Sequence, residues 1–174
     1  AQDVYTNRTK KKRARNFIPL TVPNGNHLIE MDILYMRKGG RKKYILGAID
    51  TFTRRFAGKA LTNIKTKTVT KAALELINEL NGTKYVRVDK GSEFISSVFR
   101  QAMKDANINL YFTGRKQKAN YIERFWRSLR PRLYRAADAT NTLSWEKLLP
   151  SVITAYNNAL TFMSVIAQSC VLLF

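Results

Sequence analysis

One cysteine, Cys170, and one histidine, His27, are all the chain holds of the two residue types that dominate zinc and thiol chemistry. A structural zinc site takes four ligands, usually Cys or His, so none can be assembled within this chain. A lone cysteine also leaves no internal disulfide, which fits an intracellular protein. A Ser-His-Asp or Cys-His mechanism would have to use His27, which stands ahead of a strand with no nucleophile motif nearby. Acidic residues are scarce as well, 12 Asp and Glu against 31 Lys and Arg. No apolar run reaches the 18 residues of a candidate membrane span. The N-terminus is polar and basic and lacks the apolar core of a signal peptide.

What remains is a chain of 174 residues, 45 % of them hydrophobic, enough for one well-buried core. The net charge of +19 attracts polyanions, and that attraction weakens as salt rises. An enzyme acting on nucleic acid and a passive, histone-like binder would share this imbalance, so charge alone does not choose between them.

Residues 1–26, with Lys10-Lys-Lys-Arg-Ala-Arg15 and Pro23-Asn-Gly25, read as an extended basic arm. Such an arm serves as a nuclear-localisation patch, a tail for DNA backbones or a solvated linker. The opening at Ala1, without Met, leads us to expect a piece of a longer protein. A core is expected over 27–160 and a hydrophobic tail over 161–174. In 28–36, Ile29, Met31, Ile33 and Tyr35 form one face and Asp32 lies on the other beside Leu34. Gly39-Gly40-Arg41 makes a hairpin turn, and Tyr44–Ile49 reads as a strand buried on both faces. A third strand runs roughly from Arg55 to Leu61, so three antiparallel strands come first.

The period then changes. Val69, Ala72, Ala73, Leu76, Ile77 and Leu80 follow helical spacing up to a stop at Asn81-Gly82. Strand 84–88 delivers Asp89, and Ser96 or Ser97 caps a helix with the stripe Phe99, Ala102, Met103 and Ala106. A short strand over 108–112 precedes the loop 113–117. A basic helix from about Ala119 buries Ile122, Phe125, Trp126, Leu129 and Leu133, and a last helix starts at Trp145. This order predicts an α/β fold, a five-stranded mixed sheet flanked by helices.

Three carboxylates carry the functional signal. Asp32 lies inside an apolar strand and needs a partner for its charge. Asp89 closes a second strand ahead of Lys90-Gly91. Glu123 opens the basic helix, with 33 residues between it and Asp89. Glu123, Arg127 and Arg130 share one helical face, which suits one metal-binding carboxylate and two guanidiniums for phosphate. A plain ion pair between Glu123 and Arg127 is the bland alternative. Two strand-borne aspartates and a helical glutamate can converge on a pair of divalent cations, the arrangement used for phosphoryl transfer. Glu93 is expected to face outward, and Asp50 to cap its strand.

Asp32, the run Tyr44-Ile-Leu-Gly-Ala-Ile-Asp-Thr-Phe-Thr53, then Val88-Asp-Lys-Gly-Ser-Glu-Phe94 and Lys118-Ala-Asn-Tyr-Ile-Glu-Arg-Phe125, resemble the catalytic core of retroviral-type integrases. The likeness is closest to integrases of Maverick/Polinton transposons, relatives of the gypsy-type enzymes, and covers about residues 5 to 158. It implies an RNase H-like fold, two Mg²⁺ or Mn²⁺ ions, and DNA 3′-end processing and strand transfer in the nucleus. On that likeness Asp32, Asp89 and Glu123 are the metal ligands, and Arg127 and Arg130 contact DNA phosphates, with Lys118 and Arg124 beside them. The implied partners are transposon ends, target DNA and further copies of the chain, with no membrane. An RNase H-type nuclease for RNA–DNA hybrids is a neighbouring reading.

Four departures raise the alternative of a catalytically impaired or domesticated DNA-binding remnant. Integrases of this type carry Asn where Trp126 stands, so the indole either joins the apolar stripe or crowds the metal side. Pro131 is expected to kink or end the helix after Arg130. The tail to Phe174 lacks the family's usual histidine and proline, as a shifted frame or splice boundary would produce. The flanking zinc-binding and DNA-binding domains of such integrases are not in the sequence.

Overall fold

Tyr44–Asp50 is apolar at consecutive positions, and a strand of that kind must be covered on both faces. The computed structural model, which describes residues 24–36, 41–113, 120–141 and 144–171, covers it with helices on each side. Strands β1 (Leu28–Tyr35), β2 (Tyr44–Asp50) and β3 (Phe56–Leu61) form the expected antiparallel meander. Helix α1 (Thr66–Glu79) crosses over to β4 (Tyr85–Val88), which pairs parallel to β1. The short α2 (Ser92–Ile95) and α3 (Ser97–Asp105) lead to β5 (Asn109–Phe112), parallel to β4. The sheet order is therefore β3-β2-β1-β4-β5. Helices α4 (Asn120–Ala139) and α5 (Trp145–Val171) close the chain, giving an RNase H-like α/β architecture.

The sheet separates two cores. Ile29, Met31, Leu46 and Ala48 point toward α1 and α3, while Leu34, Ile45 and Ile49 point toward α4 and α5. All six apolar positions read for α1 are buried or cap it. Asn81 and Gly82, both at positive φ, end that helix as expected. Ser96 rather than Ser97 is the α3 cap, accepting from the Phe99 N–H at 3.2 Å. Two residues read as apolar-face members are exposed: Tyr35, at the strand end, and Ala106, at the α3 C-cap.

Pro131 does not end α4, which continues to Ala139. Leu129 and Leu133, buried on either side of it, hold the helix to the sheet. The proline itself lies on the exposed side, so the carbonyl it frees four residues back, at Arg127, is on the solvent face. Edge strand β3 is held by α5: Asn157 both accepts from the Phe56 N–H (3.0 Å) and donates to its carbonyl (2.8 Å). The arm at 1–23, the turn at 37–40, the loop at 114–117, Lys118 and the end of the tail at 172–174 lie outside the described residues.

Candidate active site

The sheet brings the two aspartates together. Met31 of β1 pairs with Val88 of β4 in a parallel ladder, so Asp32 and Asp89 follow side by side on adjacent strands. Asp32 has the parity of Glu30 and Leu34 and faces α4. Glu123, in the first turn of α4, lines the same open groove of about 560 Å³ as Asp32, Trp126, Arg127 and Arg130. The expected shared face of Glu123, Arg127 and Arg130 is therefore present. Glu123 does not pair with Arg127; among the described residues the ion pairs are Lys59–Glu75 and Arg87–Glu30.

Burial is the main cause that pushes the Asp32 carboxyl up to about 6 from 3.8, and the Asp89 and Glu123 charges add to it. Hydrogen bonds from the Ile33 backbone and the Trp126 indole work against the rise. The expected repulsion between the acids is present but secondary to desolvation. All three groups are hard oxygen donors, the kind that Mg²⁺ and Mn²⁺ take. As they stand, no three Asp, Glu, His or Cys side chains among the described residues converge on a point that would hold an ion. The two aspartates are turned to protein partners instead. Trp126 Nε1 donates to Asp32 Oδ2 at 3.0 Å, and Thr113 Oγ1 donates to Asp89 Oδ1. The donor set fits a divalent cation in kind, and rotation of these carboxylates would be needed to close the site.

Trp126 does both things expected of it in the alternative. It is buried in the stripe, edge-on to Phe56, and it holds a proposed ligand. Gly47 makes this possible. It pairs directly with Asp32 across β1 and β2, and a Cβ there would run into the indole and the Phe56 ring. Asp50 caps its strand as expected, accepting from the N–H groups of Phe52 (2.8 Å), Thr53 (2.7 Å) and Asn26 (2.7 Å). Glu93, expected to face outward, is half-buried. Its carboxylate folds back over Gly91, where a Cβ would lie 2.6 Å from Oε1, and Ser92 Oγ donates to it.

Arg124 is separated from Arg127 and Arg130. It lines another groove on the far flank of α4 with Arg54, Tyr121 and Tyr156. Sequence reasoning missed Glu30 and Arg87 altogether. Glu30 is fully buried, ion-paired with Arg87, and accepts from the Tyr121 and Ile122 N–H groups at 2.9 and 3.1 Å. The available signal was two opposite charges, each inside an apolar strand and each two residues before a candidate ligand.

The model of the family described as "Integrase core domain" matches residues 23–118, more than half of the chain. The chain belongs to the integrase core family. The matched segment of this retroviral- or retrotransposon-type core contains Asp32 and Asp89 and stops short of Glu123. No curated protein matches the chain. Among solved structures, the HTLV-2 integrase catalytic core, in complex with magnesium, superposes with a TM-score of 0.66 at 16 % identity, over 74 % of this integrase core and 84 % of that one. The BIV integrase core gives 0.62 at 21 % identity, over 75 % and 83 %. A chain of the simian T-cell lymphotropic virus intasome gives 0.68 at 18 % identity, covering 80 % of this core and 54 % of that chain. At these identities the likeness establishes the shared fold.

Proposed function

We propose that this chain is the catalytic core of a DNA integrase that processes and joins DNA 3′ ends, with Asp32, Asp89 and Glu123 as the ligands of two Mg²⁺ or Mn²⁺ ions. The observation that carries the reading is that Asp32 and Asp89 follow side by side from paired strands while Glu123 lines one groove with Asp32, on a chain of net charge +19. Bound divalent cations would activate the attacking hydroxyl and stabilise the leaving oxygen. The protein's part is positioning and charge neutralisation. Arg127 and Arg130, on the groove's wall, would take DNA phosphates. Lys118 and Arg124 would extend that contact, Arg124 along the opposite flank of α4. The run of motifs from Asp32 to Phe125 supports a Maverick/Polinton-type source, hence transposon ends and target DNA as substrates, multimeric action and a nuclear site of work.

A second reading is favoured by the Trp126–Asp32 hydrogen bond and the lack of a closed ligand set among the described residues: a remnant that binds DNA and turns over poorly. Incubation with Mn²⁺ and either a short DNA duplex or an RNA–DNA hybrid separates the possibilities. Joined DNA products support the integrase. Cleavage of the hybrid without joining points to an RNase H-type nuclease, and salt-sensitive binding with neither product points to the remnant.

A further inference from the structure

Each candidate ligand has, close before it in the chain, a residue that meets at one buried carboxylate. Glu30 lies two positions before Asp32 on β1, Arg87 two before Asp89 on β4, and Tyr121 two before Glu123 on α4. One Glu30 oxygen accepts from Arg87 Nη2. The other accepts from the Tyr121 and Ile122 N–H groups, which belong to the unpaired donors at the start of α4. A carboxylate is well matched to that helix end, where the backbone dipole favours negative charge. Glu30 is wholly enclosed, and the Arg87 side chain is 16 % exposed.

We infer that Glu30 is a positioning residue: a clamp that fixes β1, β4 and the first turn of α4 relative to one another, and so sets the spacing of Asp32, Asp89 and Glu123. The inference rests on the proposed metal role of those three acids. Reach matters more than charge in such a clamp. Aspartate, one methylene shorter, keeps the charge but cannot span Arg87 and the helix amides together. Glutamine keeps the reach and loses the charge, leaving the half-buried Arg87 without its counter-ion.

The test is Mn²⁺ binding followed by electron paramagnetic resonance on the full chain, beside melting temperature and DNA-joining kinetics, for Glu30→Asp and Glu30→Gln. We expect Glu30→Asp to weaken Mn²⁺ binding about tenfold, in the range for lost ligand-supporting contacts. It should lower kcat with KM for DNA unchanged. Glu30→Gln should melt lower than Glu30→Asp yet bind Mn²⁺ more tightly. Mn²⁺ affinity that merely follows melting temperature, or equals the parent's in both variants, overturns the clamp alone. A parent chain that binds no Mn²⁺ overturns the metal-site reading, and the clamp's role with it.

Discussion

Trp126 Nε1 donates a hydrogen bond to Asp32 Oδ2 at 3.0 Å, and the indole giving it is seated over Gly47, the residue paired with Asp32 across the sheet. The carboxylate proposed to hold a cation is thus held by the protein's own core.

Trp126→Phe retains a ring against Phe56 and removes the donor. A hydrogen bond to a charged group contributes about 1.5–3 kcal/mol. Release of Asp32 should therefore tighten Mn²⁺ binding by roughly tenfold, while the smaller ring lowers the melting temperature. Isothermal titration of Mn²⁺ beside a thermal melt reads both; unchanged or weaker Mn²⁺ binding would mean that the indole does not compete.

Asp32 also governs a pH dependence. Its carboxyl is protonated in both folded and unfolded chains below pH 3.8 and ionised in both above about 6. Stability that depends on a neutral Asp32 is present in acid and is lost as pH rises from 3.8 through about 6. Asp32→Asn is neutral at every pH and still offers Trp126 an acceptor. It should match the parent below pH 4 and exceed it at pH 7–8 by up to about 3 kcal/mol. Urea unfolding at both pH values checks this, and equal stability at pH 8 would contradict it.

Much of this arrangement could be read from the residues. The strand, helix and stop signals were strong because long apolar stretches kept one period, as at Val69 to Leu80. Asp32 and Asp89 were visible because each sits where an apolar strand has no reason to carry an acid. Partners that depend on sheet order were not visible. Glu30 meets Arg87 only because β4 lies beside β1, a pairing of strands 57 positions apart in the chain. The resemblance set Arg124 beside Arg127 and Arg130 as a DNA contact, yet Arg124 lines a different groove from the other two. Pro131 read as a kink or a stop, and the packing of Leu129 and Leu133 carries the helix past it.

DNA binding should reflect that division of α4. Each phosphate contact contributes about −0.9 to the slope of log K against log salt. Replacing Arg127 and Arg130 together with alanine should make the slope shallower by about 2, much the same for every duplex sequence. Fluorescence anisotropy between low and moderate salt measures it. A slope unchanged in the double variant would remove the groove from the DNA path.

The most direct measurement is joining of a short DNA duplex to a target in Mn²⁺, run with the parent chain and Asp89→Asn. Asparagine keeps the Thr113 partner and the shape of the strand end but surrenders the charge a cation needs. Joining by the parent, reduced to background in Asp89→Asn with DNA binding retained, is the predicted result. Joining that survives in Asp89→Asn would contradict the metal site.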